Sequence, residues 1–196
     1  MKKLICLLSS FTLLFALALP VYAAVDAQVA PQDRSFEINL DDVLSNALAF
    51  DAEVSNGATK IPFRFDVNDE LEAELVITVR NSLTRASSKS FSMEGWFRLK
   101  SNQEIVTVYG LDGTFEYNGS QAEPTGYSSY HNSCYSGWTG SSSAGEETND
   151  DGSARIIGNF TVYKNGKADN TASCYAKCTK NGSVSFGGNY DEASTH

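Results

Sequence analysis

From Lys60 onward the chain runs in short stretches of β-branched and aromatic residues, each cut off by a turn dipeptide, and that rhythm admits few folds. KIPFRFDV (60–67), LEAELVITVR (71–80), SFSMEGWFRLK (90–100) and EIVTVYG (104–110) read as strands, because branched and aromatic side chains fit a pleated surface. Asp112 with Gly113, Asn165 with Gly166, and Asn181 with Gly182 each separate two such runs, and these pairs suit the left-handed backbone of tight hairpins. Asn56 with Gly57 and Asn118 with Gly119 mark further turns. Ahead of the strands, Leu40, Val43, Leu44, Ala47 and Leu48 fall on one helical face, with Asn39 or Asp41 available as a cap. The expected fold is all-β: an antiparallel β-sandwich, or barrel, of short strands with one short N-terminal helix.

Two-residue turns at 165–166 and 181–182 would set strands 155–164, 167–180 and 183–190 in a meander, with Cys174 opposite Ile157 and Asn189. Parity then puts Ile156, Phe160, Val162, Tyr175, Val184 and Phe186 on the core face, and Cys174 and Cys178 on the opposite one. Four steps along a strand span about 13 Å, too far for Cys174 to reach Cys178, so Cys134 is the expected disulfide partner of one or the other.

At the N-terminus Lys2 and Lys3 precede an apolar run from Leu4 to Leu19 that closes with Pro20, Val21, Tyr22 and Ala23. That is the layout of a secretory signal cleaved after Ala23, residues 1–23, and it implies a secreted or periplasmic protein. Ser9, Ser10, Thr12 and Pro20 interrupt the run, so no membrane span is expected in the mature chain. Residues 24–33 read as a flexible leader and 34–196 as a single β domain. Loss of Lys2 and Lys3 leaves 13 Lys and Arg against 24 Asp and Glu, a formal charge of −11. Such a field disfavours nucleic acid and anionic lipid as partners. Loss of Cys6 leaves three cysteines, an odd number, bound for an oxidising compartment.

Residues 119–153 show neither strand nor helix periodicity and read as a long Tyr/Ser/Gly-rich loop. Tyr127, Tyr130, Tyr135 and Trp138 are its candidate binding residues, since rigid aromatics among small polar residues make adaptable contact surfaces. A disulfide from Cys134 to the outer face of the meander would pin these aromatics into a surface for a glycan or a protein.

Chemical motifs are sparse. Glu147, Asn149 and Asp151 have the opening spacing of a calcium loop, but Gly158 stands where a bidentate Glu is needed. Asp66, Asn68 and Glu70 form a similar acidic turn. His131 lies near Cys134, which raises a Cys/His nucleophile or a zinc site, both disfavoured by an oxidising destination. Glu94 with Glu104 or Glu116 could supply the two carboxylates of a small hydrolase. No cofactor is expected. The reading that follows is an exported, non-catalytic binding or surface-interaction module for a glycan or protein. The alternatives are that hydrolase, or an acidic periplasmic inhibitor or immunity-type protein acting on a basic enzyme.

Overall fold

A computed structural model describes residues 34–55, 58–81 and 87–193. The expected signal segment, the leader and the turn at Asn56 and Gly57 lie outside the described residues. Strand β1 (Ser35–Asn39) leads into helix α1 (Leu40–Ser45), a 3-10 turn (Ala47–Phe50) and β2 (Glu53–Ser55). The chain continues through β3 (Ala58–Asp66), β4 (Leu71–Asn81), β5 (Ser88–Leu99), β6 (Ile105–Tyr117), β7 (Ala122–Ser133), β8 (Trp138–Thr148), β9 (Ala154–Lys164), β10 (Lys167–Cys178) and β11 (Val184–Glu192). Every pairing is antiparallel, in a five-stranded sheet ordered β1-β11-β10-β9-β8 and a six-stranded sheet ordered β2-β3-β4-β5-β6-β7. The architecture is the expected all-β sandwich, with one short helix among the described residues.

The helix is shorter than its apolar spacing suggests. Asn39 caps it, accepting the Asp41 N–H, but Asn46 turns out of helical geometry at φ −143° and ends it. Leu40 and Val43 are buried, whereas Leu48 is 98% exposed, so the stripe serves the core only over its first turn.

The core is one cluster fed by the inward residues of both sheets. Tyr109 and Tyr190 lie at its centre, hydroxyl to hydroxyl, with Tyr109 packed on Phe97 and Phe160 and Tyr190 on Phe65. Burial holds both phenols well above their ordinary pKa.

Hairpin chemistry decides which residues enter that core. Asn165 and Gly166 do form a two-residue turn, with φ of 51° and 79° and Lys164 opposite Lys167. A bulge between Ala168 and Asn170 then slips the register by one, so that Cys174 faces Gly158 rather than Ile157. At the next hairpin the loop is three residues long, with Thr179 bonded to Ser183 and Gly182 left-handed at φ 84°. Cys174 therefore faces Gly188, not Asn189. A one-residue slip exchanges the two faces of a strand, and the expected face for the late cysteines is corrected accordingly: Cys174 and Cys178 point into the core. Burial pushes their thiols up to about 12 and about 11.

Three further expectations are corrected. The segment 119–153 is not a loop, because it forms β7, a turn at 134–137 and β8. Periodicity failed there because both strands are edges, exposed or half-exposed on both faces over most of their length, so no apolar alternation marks them. Asp112 and Gly113 lie inside β6; Gly113 serves packing rather than a turn, since the Phe91 and Ile156 side chains fill the space a Cβ would need. The disulfide from Cys134 to Cys174 or Cys178 does not form, because Cys134 is exposed while the other two sit in the core.

At one end of the sandwich three hairpin turns are joined. Gly119 N–H donates to the Lys180 carbonyl and Ala122 N–H to the Gly152 carbonyl, tying the β6–β7 turn to the β8–β9 and β10–β11 turns.

Candidate functional site

The outer face of the six-stranded sheet narrows to small polar side chains over β5, β6 and β7. Register places Ser90, Thr114 and Gly126 in one cross-strand row, and Ser92, Asp112 and Ser128 in the next. A bulge after Thr114 leaves Thr125 unpaired, and no heavy atom beyond its chain neighbours lies within 4 Å of where a Gly126 Cβ would be. The result is a shallow trough of about 470 Å³ lined by Ser90, Asp112, Thr114, Gly126, Tyr127 and Ser128. Ser90 and Thr114 share a hydrogen bond of 3.0 Å across it.

Aromatic residues border the trough along the strands. Tyr130 lies flat over Gly110, whose missing side chain leaves room for the ring, and its hydroxyl donates to Glu94 Oε2 at 3.0 Å. Burial, and then the Glu94 carboxylate, push the Tyr130 phenol up to about 12, so it stays a donor across the physiological range. Further along β5, Trp96 Nε1 donates to Glu74 Oε2 at 3.0 Å, while the Arg98 guanidinium lies 5.5 Å from the indole centre. Asp112 pairs with Ser92, two residues from Glu94, so Glu94 and Asp112 are diagonal neighbours on adjacent strands, with backbones roughly 7–8 Å apart.

The aromatics singled out from sequence do not form one surface. Tyr127 stands in the trough wall, 41% exposed, but three residues along the same strand from Tyr130, and so on the opposite side of the pleat. Tyr135 is 39% exposed in the turn beyond β7. Trp138 belongs to the core at 5% exposure, with Lys164 Nζ 5.3 Å from its ring centre. Without the Cys134 disulfide nothing gathers them.

The other candidates separate as well. Asn149 and Asp151 shape the β8–β9 turn, where Asp151 accepts from the Ser153 amide and hydroxyl; these bonds hold its carboxyl below the usual range. Glu147 faces Arg155 instead. In the other acidic turn Lys100 bonds Asp66 and Lys164 bonds Glu70, so ammonium groups sit where a calcium ion would need open carboxylates. Among the described residues no group of three or more His, Cys, Asp or Glu is gathered to hold a metal. His131 bonds Ser142 rather than Cys134. Glu116 lies opposite Ser88, six residues and about 20 Å along β5 from Glu94. Glu104 lies beyond Arg98 in the next turn, also outside the roughly 5–10 Å that paired carboxylates need.

Sequence reasoning missed Ser90, Asp112, Thr114, Gly126 and Ser128. Their signal, hydroxyl and glycine positions alternating on three strands, emerges only when the register aligns them. No family model, curated protein or solved structure matches the chain.

Proposed function

We propose that the protein is an exported, non-catalytic binding module that holds a glycan in the trough on its six-stranded sheet. The trough itself carries the reading: three adjacent strands expose only small polar groups there, beside Tyr130 and the Trp96–Glu74 pair. Sugars are recognised by planar carboxylates and hydroxyls that exchange hydrogen bonds with ring hydroxyls, together with an apolar wall. Asp112 offers two acceptor oxygens, and Ser90, Thr114 and Ser128 can both donate and accept. Tyr130, on the same face as the trough, supplies aromatic contact area beside it. Glu104 and Glu116, the partners that the hydrolase reading assigned to Glu94, lie too far along the strands to act with it.

Glycan-array screening followed by titration calorimetry tests this. Gly126→Val places a side chain in the trough without a clash, and Asp112→Asn removes the charge without changing shape. Binding lost in both variants with folding retained supports the assignment. A glycan bound equally by wild type and both variants would place the site elsewhere.

A further inference from the structure

Residues 101–153 carry eight Asp and Glu and not one Lys or Arg, so −8 of the chain's formal charge of −9 is concentrated in them. They build β6, β7 and β8, along one side of the sandwich. There β7 ends one sheet and β8 ends the other, twelve and eleven residues long, joined by the turn at 134–137. Among the described residues no backbone hydrogen bond runs between the two strands. They are linked near the turn by His131 Nδ1 and Ser142 Oγ at 3.2 Å, and at the far end by Ala122 N–H donating to the Gly152 carbonyl. Near the turn the His131 ring packs over Gly140, whereas farther along β7 the Tyr127 side chain is exposed although its cross-strand partner Gly113 is buried. Edges of this length are usually guarded by Lys, Pro or a bulge. Strand β7 has Pro124 and a bulge only at its start, and β8 has none of these.

We propose that this edge receives an extended, Lys- or Arg-bearing segment of a protein partner, which adds as a strand along β8. Ser143, Ala144 and Gly145 keep the β8 side chains small enough for close backbone approach, and nothing lies within 4 Å of where a Gly145 Cβ would be. Main-chain hydrogen bonds from the unpaired edge would hold the segment, and its basic side chains would meet Glu146 and Asp150, for which no cation lies within ion-pair distance among the described residues. The absence of any cation on β6, β7 and β8 steers a basic partner to this side and rejects acidic ones.

The test titrates the isotope-labelled protein with a decapeptide of alternating Lys and Thr, and with a matched Glu/Thr peptide. Amide shifts and slowed hydrogen exchange confined to β7 and β8 are expected with the basic peptide alone. Changing Glu146→Lys and Asp150→Lys together should weaken binding by about tenfold or more. Neighbouring N–H groups point to opposite sides of a strand, so of Ser143→Pro and Ala144→Pro one removes a donor to β9 and the other a donor on the free edge. The variant that keeps its melting temperature should lose the peptide. No binding at millimolar concentration, equal binding of the acidic peptide, shifts mapped to β3–β5, or an unaffected double-Lys variant would each overturn the proposal. None of these outcomes bears on the trough, which lies on another face.

Discussion

Gly95→Ala adds a single methyl group at the most crowded point of the core. Gly95 faces inward on β5, opposite Tyr109, and a Cβ there would lie under 3.0 Å from three atoms of the Tyr109 side chain, where ordinary contact begins at 3.4 Å. The ring has little freedom to retreat: Phe97 packs at 5.4 Å, Phe160 at 4.7 Å, and its hydroxyl is bonded to that of Tyr190. Overpacking a filled core costs about 1–3 kcal/mol. Breaking a buried hydroxyl pair costs about 1–3 kcal/mol more, since the Tyr109 hydroxyl loses its partner away from water. The lower entropy of Ala in the unfolded chain returns roughly 0.5–1 kcal/mol. The expected net loss is ~1–5 kcal/mol, read as a lower midpoint in equilibrium urea unfolding with an unchanged slope. Adding Tyr109→Leu, which empties the contested volume, should cost less in the Gly95→Ala background than alone, by at least ~1 kcal/mol. A loss below about 1 kcal/mol for Gly95→Ala, or strict additivity of the pair, would refute the crowding argument.

Gly126→Val should raise stability by roughly 0.5–1 kcal/mol in the same assay, because its Cβ enters open space on a strand, and a loss would show that the glycine is needed for its backbone. In Glu94→Gln the Tyr130 phenol should titrate below its present value of about 12, moving toward 10, as followed by tyrosinate absorbance; an unmoved titration would remove the Glu94 contribution. Of the cysteines in the described residues, Cys134 should react with a thiol reagent in the native protein, and Cys174 and Cys178 only after unfolding. The folded state keeps the Cys174, Tyr109 and Tyr190 protons to higher pH than the unfolded chain, so their contribution is complete below about pH 9 and is lost as pH rises toward 12. Cooperative alkaline unfolding with release of several protons is expected, and gradual titration without unfolding would contradict it.

The strands from Ile61 to Val108 were legible because one of their faces is apolar at every second residue, and the Asn165–Gly166 turn because both positions demand a left-handed backbone. The cysteines were misplaced by two one-residue events, the bulge near Ala168 and the extra loop residue before Ser183, neither of which leaves a mark in hydropathy. Strand β1 was missed because its partner, β11, lies at the other end of the chain. For the trough, Asp112 beside Gly113 carries the signature of a hairpin, and only the bulk of Phe91 and Ile156 reveals why a glycine stands in mid-strand.

The pairing of β1 with β11 also bears on how this molecule is made. Ser35 bonds into register with Asn189, so the first strand of the described chain waits for the last before the five-stranded sheet can be finished. That pairing joins positions 35 and 189, and closure over so long a stretch of chain is slow. The same adjacency puts the first and last described strands side by side, so a circular permutant of residues 34–193 joined there and reopened at the Asn165–Gly166 turn, where added bulk at Gly166 meets nothing, should assemble the same sandwich in a different order.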